Sequence, residues 1–239
     1  DGNSVYVASR YPGAIAVFDR AGDGTLTFKQ VRKTGVGGVT NLGGAHGVAV
    51  SSDGAHVYAT ASVDDAVVVF QRDIGVNPAT FGTLTQIQVQ PNVGGLDRAI
   101  GIAVSREVDA LGSRNVYVTG HTSDALVVYK RNVDDSSPDW GKLTLSQTFY
   151  DGVDGVDGLN GARAVAVGSD GKQVYVAGED DDALAIFSRE EVGGTLVFVE
   201  ARTDGVGGVD GMDQAYSVAV VREGRQIYVA GLGDNAIAA

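Results

Sequence analysis

The chain contains two glycine-rich segments in which aspartates recur at short intervals, a pattern suited to binding a hard cation. They are Asp151, Asp154 and Asp157 in the first segment and Asp204, Asp210 and Asp213 in the second. Ca²⁺ takes six to eight oxygen ligands, and the intervening glycines let backbone carbonyl groups turn towards the same ion. The spacing therefore predicts bound Ca²⁺ as a cofactor, although neither segment matches the EF-hand ligand pattern.

The same aspartates also suit a soluble turn that binds no metal. The corresponding segment of the first repeat has Thr34, Gly37 and Thr40 where the third repeat has three aspartates. The fold therefore does not require acids at these positions. Asp and Gly are also the residues that turns with left-handed backbone geometry select. The sequence leaves both interpretations open.

A second set of side chains occupies one equivalent position in successive repeats, just ahead of a short apolar strand. That position holds His46, Ile100, Arg163 and Tyr216. Attack of water on a carbonyl carbon needs a cationic donor for the carbonyl oxygen, and either a base for the water or a metal-bound water. In a catalytic site Arg163 would be the donor, His46 the base and Tyr216 a further hydrogen-bond donor. The alternative is that these side chains only fill the opening at the centre of the fold.

The remaining histidines and the tryptophan give weaker signals. His56 and His121 lack the spacing of a zinc site and are expected at surface or hairpin positions. Trp140 lies in a long insert between strands, where it would anchor a loop or contact a partner. The nucleophile motif G-x-S-x-G is absent from the sequence.

Composition excludes several classes of partner. The formal net charge is −12 and the sequence pI is about 4.5, so the surface repels phosphate and disfavours nucleic acid and anionic membranes. With no cysteine there is neither a disulfide framework nor a thiolate metal site. No apolar run approaches the roughly 18 residues that a membrane helix needs, so we expect no membrane insertion.

An internal repeat sets the elements that position these residues. Val-Tyr-Val, or a close variant, recurs at intervals of about 50 to 60 residues, a period typical of arrays of one supersecondary unit. The copies centre on Tyr6, Tyr58, Tyr117, Tyr175 and Tyr228. Each repeat reads as four short strands: a Val-Ala-Val strand, the Val-Tyr-Val strand, a strand running from alanine to an aromatic residue and an arginine, and a strand that begins near Gly-Thr-Leu.

Four antiparallel strands per repeat predict an all-β fold, a β-propeller whose innermost strands carry the small residues. About four to five blades are represented, as part of a larger ring. The expected repeats are 1–46, 47–99, 100–163, 164–216 and a partial 217–239, which form a single domain that is incomplete at both ends. The repeated tyrosines are predicted to pack between neighbouring blades.

The repeated phrases also resemble a known family. Ser-Asp-Gly-x-x-Val-Tyr-Val-Ala at 169–177 is followed by Asp-Asp-Ala-Leu-Ala-Ile-Phe-Ser-Arg at 181–189 and Gly-Thr-Leu at 194–196. This pattern is similar to the lactonase-like (YVTN-type) β-propeller repeats of secreted bacterial proteins. The resemblance covers essentially the whole chain and implies an extracellular or periplasmic location. The family includes lactone-acting enzymes and large extracellular repeat proteins without known chemistry.

These observations lead to a first expectation and two alternatives. The first expectation is a secreted, non-catalytic module whose acidic, calcium-binding loop face serves binding to a protein or cell-surface partner, or self-assembly. The first alternative is a lactone hydrolase with its site at the axial opening, around His46, Arg163 and Tyr216. The second is a purely structural segment of a large surface protein.

Overall fold

The structure is a computed structural model that describes residues 2–105, 114–190, 193–221 and 226–239. Within these ranges the regular structure is entirely β, and no helix is long and apolar enough to cross a membrane. The strands are β1 Ser4–Ser9, β2 Ala14–Arg20, β3 Leu26–Lys33, β4 Ala45–Val50, β5 His56–Ala61, β6 Ala66–Arg72, β7 Leu84–Gln90, β8 Ala99–Val104, β9 Arg114–Gly120, β10 Ala125–Arg131, β11 Leu143–Tyr150, β12 Ala162–Val167, β13 Gln173–Gly178, β14 Ala183–Arg189, β15 Leu196–Thr203, β16 Ala215–Val220, β17 Ile227–Gly231 and β18 Ala236–Ala238.

The strands form five antiparallel sheets in chain order. Blades 2, 3 and 4 have four strands each (β4–β7, β8–β11 and β12–β15), whereas blade 1 (β1–β3) and blade 5 (β16–β18) have three. The inner strands β4, β8, β12 and β16 contact one another in turn. This radial arrangement confirms the predicted all-β propeller of four-stranded antiparallel blades.

The apolar core is divided among the interfaces between blades. Alternate side chains of a strand point to opposite faces of its sheet, so the β-branched strands of a blade pack against both neighbours. Between blades 2 and 3, for example, Tyr58 and Val67 meet Val118 and Val127, all fully buried. Tyr58 also donates from its hydroxyl to the carbonyl of Gly141 in the next blade at 3.0 Å. The repeated tyrosine thus joins blades through both packing and a hydrogen bond.

A glutamine on the outer strand of each of blades 1 to 3 binds the backbone of the next blade. Gln147, for example, accepts from the N–H of Leu196 at 2.8 Å and donates to its carbonyl at 3.1 Å. The corresponding contacts are Gln30 to Leu84 and Gln88 to Leu143. Because these bonds recur, the outer edges of neighbouring blades are held in one register.

The arginine that ends the third strand also reaches into the preceding blade. Arg131 is buried and donates to Asp53 at 2.7 Å and to Nδ1 of His56 at 2.9 Å. His56 is itself fully buried, and Trp140 packs edge-on against its ring with centroids 4.7 Å apart. Burial, and then the charge of Arg131, lower the pKa of His56 to about 4. His56 is therefore a neutral interface residue at pH 7, and Trp140 anchors its loop here.

Candidate functional site

A β-bulge in each inner strand aims one side chain at the central opening. The register shifts by one residue between Ala45 and Val48 in β4, and the same irregularity occurs in β8, β12 and β16. Bulges bend a strand and redirect a side chain. The residues that follow the first alanine of these strands are His46, Ile100, Arg163 and Tyr216. The variable position noted in the sequence is thus the bulge position of each inner strand, and its four residues are structurally equivalent.

A second set of equivalent residues lies beside the bulges. It comprises the residue four positions after each repeated tyrosine: Arg10, Ser62, His121, Glu179 and Leu232. In blades 2 to 5, the backbone N–H at this position is bonded to the residue just before the inner strand of the same blade. His121 donates its backbone N–H to the carbonyl of Arg98 at 3.3 Å, and Glu179 donates its own to that of Gly161 at 3.1 Å. These bonds bring the two positions close together at the same end of each inner strand.

Three of these side chains and Arg98, which lies just before β8, form a continuous polar chain that we call the mouth network: Arg98, His121, Glu179 and Arg163. Arg163 donates from Nη1 to Oε2 of Glu179, and Nε2 of His121 lies 3.0 Å from the same oxygen. Nη1 of Arg98 lies 3.4 Å from Nδ1 of His121. Because arginine can only donate, Nδ1 accepts and the His121 proton sits on Nε2, from which it is donated to Glu179.

Tyr216 joins the network through its ring. The guanidinium carbon of Arg163 lies 3.5 Å from the centroid of that ring. The negative face of an aromatic ring attracts a cation. Arg163 is therefore held between the carboxylate of Glu179 and the face of Tyr216. The sequence suggested that Tyr216 would donate from its hydroxyl, and the observed contact is instead a cation–π stack.

The electrostatics of the mouth are cationic, in contrast to the net charge of the chain. Partial burial raises the pKa of Glu179, but hydrogen bonds from His121 and Arg163, together with the charge of Arg163, outweigh that effect and lower it. Burial, followed by the charges of Arg163, Arg10 and Arg98, lowers the pKa of His46 below 6.5. Glu179 is thus ionised and His46 neutral at pH 7. The site combines a neutral imidazole with several positive donors.

A family model described as the lactonase seven-bladed β-propeller matches residues 1–147 and 135–207. The chain belongs to this family. A search of curated proteins finds no match to the chain.

Solved structures share the fold of this lactonase-family chain. A provisionally named 6-phosphogluconolactonase from Bacteroides fragilis is 20% identical, with a TM-score of 0.73, 99% of this chain covered and 63% of that one. The periplasmic gluconolactonase PpgL of Pseudomonas aeruginosa is 25% identical, with a TM-score of 0.69 over 97% of this chain and 60% of that one. The Cps50 (Swd1) propeller domain from Myceliophteria thermophila is 12% identical, with a TM-score of 0.65 over 100% and 65%. The chain therefore spans about three fifths of the structures that it matches.

These findings correct the first functional expectation from the sequence. A non-catalytic binding module was expected because no compact set of catalytic residues could be assembled from the linear chain. The match to a lactonase family and the two neighbours named as lactonases contradict that expectation and favour the enzyme alternative. The physical reason is that the mouth network draws side chains from two blades, which lie far apart in the linear chain.

The sequence missed three of the four members of the mouth network. Of the four, it identified only Arg163, and it treated His121 as an isolated histidine at the surface. In the structure the side chain of His121 is only 12% exposed and contacts Glu179. A signal was nevertheless present, because the residue four positions after the repeated tyrosine varies from Arg10 to Ser62 to Glu179 while its surroundings repeat.

The acidic segments are brought together only in part. Ligand oxygens of Asp151, Asp157 and Asp181 lie within 4.8 Å of one another, as do those of Asp204, Asp210 and Asp234. Asp154 and Asp213 are not members of either group, and each group gains an aspartate from the loop after the second strand of the next blade. With one oxygen from each carboxylate, a group supplies three of the six to eight oxygens that Ca²⁺ takes, and the others would have to come from second carboxylate oxygens, backbone carbonyls or water. The assignment of Ca²⁺ stays a prediction.

Several of these aspartates have a structural role that requires no ion. Asp151 accepts from the N–H of Leu159 at 3.0 Å, and Asp204 from that of Met212 at 2.9 Å. Thr34 accepts in the same way from Leu42 in the first repeat, at 2.8 Å. A neutral hydroxyl therefore replaces the carboxylate without loss of the turn, as the alternative interpretation of the sequence proposed.

A further set of aspartates holds the next blade at the edge of the mouth. Asp124 accepts from the N–H of Gly161 at 2.8 Å, two residues before Arg163. The equivalent bonds join Asp65 to Arg98 and Asp182 to Gln214, each at 2.7 Å. All three aspartates have positive φ, between 49 and 52°, a backbone conformation that Asp tolerates better than most residues. The acids of these loops thus help to place the mouth network.

Proposed function

We propose that the chain hydrolyses a lactone at the mouth of its central opening, and that its substrate carries an anionic group. The observation that carries the proposal is the mouth network, in which Arg163, Glu179 and His121 from two blades converge beside the axis. Membership of a lactonase family supports lactone chemistry.

Water adds to the carbonyl carbon of the lactone, and negative charge develops on the carbonyl oxygen. Arg163 donates to that oxygen, since a guanidinium has five N–H donors and Glu179 and Tyr216 do not use them all. His46, neutral at pH 7, takes a proton from the attacking water and returns it to the ring oxygen as the C–O bond breaks. The product is the open-chain hydroxy acid, whose carboxyl group then ionises.

The charge of the mouth supports an anionic substrate. Arg10, Arg98 and Arg163 are close enough to His46 to lower its pKa, whereas Glu179 is the acid that balances them in the network. Desolvated positive groups attract an anion far more strongly than exposed ones do. Two of the structural neighbours are named for a phosphorylated and an unphosphorylated gluconolactone, and the excess positive charge favours the phosphorylated type here.

The test is the rate of acid release from glucono-δ-lactone and its 6-phosphate at constant pH, corrected for spontaneous hydrolysis. We expect Arg163→Ala to lower kcat by at least about 100-fold, as loss of an oxyanion donor does, while the circular dichroism spectrum and Tm stay close to wild type. Arg202→Ala is the matched control, since Arg202 is exposed and pairs with Glu200 on an outer strand. An Arg163→Ala rate equal to wild type would overturn the proposal.

A further inference from the structure

A buried threonine in blade 3 is bonded to the backbone of Arg163 in blade 4. The hydroxyl of Thr119, which is fully buried in β9, accepts from the N–H of Gly101 at 2.8 Å. It donates to the carbonyl of Arg163 at 3.1 Å. Arg163 is the extra residue of the bulge in β12 and has no partner in the β12–β13 register. The hydroxyl of Thr119 therefore fixes the one residue of β12 that the sheet itself leaves free.

The space around this carbonyl is closed. A Cβ atom added to Gly101 would lie 2.6 Å from the Arg163 oxygen and 2.8 Å from the Thr119 hydroxyl. A Cβ atom does not approach other atoms that closely in real proteins, so only glycine fits here, and the glycine and the threonine form one unit around the carbonyl. Arg163 can shift only if that unit changes.

The same unit also occurs between blades 2 and 3, where the carbonyl that it holds belongs to Ile100, a residue without a reactive group. The hydroxyl of Thr60 accepts from the N–H of Gly47 at 2.8 Å and donates to the carbonyl of Ile100 at 2.7 Å. In blade 4 the positions equivalent to Thr119 and Gly101 hold Ala177 and Ala164. The propeller therefore folds with or without the hydroxyl, and two geometrically matched copies serve different bulge residues.

We propose that Thr119 is the positioning residue for Arg163. By holding the backbone carbonyl of Arg163, Thr119 fixes the direction in which the Arg163 side chain extends towards Glu179 and the ring of Tyr216. This inference rests on the proposed function, since it assigns Thr119 a part in catalysis through Arg163. Thr60 has no such part because Ile100 carries no reactive group.

The decisive variant is Thr119→Val, which replaces the hydroxyl by a methyl group of similar size. The Arg163 carbonyl and the Gly101 N–H then lose their hydrogen-bond partner. A methyl carbon 3.1 Å from the Arg163 carbonyl oxygen is also too close, so the bulge must move. Misplacement of a catalytic group by about 1 Å can cost about 100-fold in rate. For a shift of a few tenths of an ångström we expect kcat to fall by about tenfold, with KM little changed.

Thr60→Val is the control, because it breaks the same pair of bonds at an equally buried site. It should lower Tm about as much as Thr119→Val does. Because the Gly47 N–H that it frees follows His46, the two variants are compared in the position of the Arg163 guanidinium and not in kcat. Thr119→Ser, which restores the hydroxyl, should recover most of the rate. Should Thr119→Val fail to fold, Thr119→Ala and Thr60→Ala replace the pair, since alanine already occupies this position in blade 4. No loss of kcat in Thr119→Val, or no recovery in Thr119→Ser, would overturn the inference.

A second readout separates this inference from the proposed function. If wild type hydrolyses no lactone, the proposed function fails, but the Nε–H resonance of Arg163 still reports where the guanidinium lies relative to the Tyr216 ring. The resonance, assigned with Arg163→Lys, should move in Thr119→Val and stay in place in Thr60→Val. An unmoved resonance in Thr119→Val would contradict the positioning role whatever the activity.

Discussion

At the scale of single residues, the mouth network depends on groups that keep each other in a defined ionisation state. Glu179 is ionised because His121 and Arg163 both donate to it, and Arg163 is held flat against Tyr216. Two opposing surfaces thus restrain the guanidinium, which lowers the entropy that it must lose when a substrate binds. Charge and geometry at this site are set by the same contacts.

The pH dependence of turnover should report His46. A general base must be neutral, and burial together with the surrounding arginines lowers the pKa of His46 below 6.5. We therefore expect kcat/KM to be constant above pH 6.5 and to fall as the pH drops through the lowered pKa. Removal of one positive charge in Arg10→Gln should raise that pKa and move the acid limb to higher pH. Profiles of kcat/KM between pH 4.5 and 8 give the measurement.

His46→Gln should remove the acid limb together with most of the activity, whereas Arg202→Gln on the outer strand should leave the profile unchanged. If the acid limb persists in His46→Gln, another group is the base, and Glu179 is then the next to test by Glu179→Gln.

At the scale of elements, the inner strands of blades 3 and 4 are each bonded to the preceding blade just before the bulge and at the bulge residue itself. In blade 4, Asp124 binds the N–H of Gly161 and Thr119 binds the carbonyl of Arg163. Both partners belong to blade 3. The position of a site residue is therefore a property of a pair of blades, and the repeat propagates it around the ring.

The hydrogen bonds that these aspartates accept can be tested separately from their negative charge. Asp124→Ala leaves the buried N–H of Gly161 without an acceptor and places alanine at a φ of 49°, two effects that together cost about 2–4 kcal/mol. Asp124→Asn keeps an oxygen acceptor and a side chain that tolerates this φ, so its free energy of unfolding should lie within about 1 kcal/mol of wild type. Urea unfolding curves measure both. Equal destabilisation by asparagine and alanine would mean that the charge matters and the acceptor does not.

The strands were predictable because the signal for each is local and occurs several times. Val-Tyr-Val and the aromatic-arginine strand each combine β-branched residues with a following turn, so period and composition agree. The site was less predictable for a geometric reason. Glu179 and His121 lie 58 residues apart in the chain and meet only because two repeats are adjacent in the ring. Aligning the repeats column by column, rather than searching for short motifs, exposes such positions.

The same reasoning applies to the aspartates. Asp151, Asp154 and Asp157 are evenly spaced in sequence, but the loop turns between them, and Asp154 has a φ of 53° where the first repeat has glycine. Asp181, from a different loop, takes the place that Asp154 was expected to fill. Even spacing along a turn-rich loop therefore does not place side chains on one side.

At the scale of the whole molecule, opposite charges are segregated on one face. The net charge is −12, yet Arg10, Arg98 and Arg163 surround His46 at the mouth, while the aspartate groups belong to the crossovers and the loops after the second strands. The Debye length is about 8 Å at physiological ionic strength. Under those conditions an anion at the mouth interacts with the arginines and with the few aspartates at its edge, such as Asp65 beside Arg98, and is screened from acids that lie farther away.

This segregation predicts that inorganic phosphate binds the chain despite its acidic pI. Isothermal titration in about 0.1 M salt should give a Kd in the millimolar range, which corresponds to about 4 kcal/mol. Arg98→Gln should weaken binding about fivefold because it removes one of the charges at the mouth, and higher salt should weaken it further. Arg202→Gln, an equal change of net charge far from the axis, should leave Kd unchanged. If both variants weaken phosphate binding equally, the anion senses the overall charge, and a specific anion site at the mouth is ruled out.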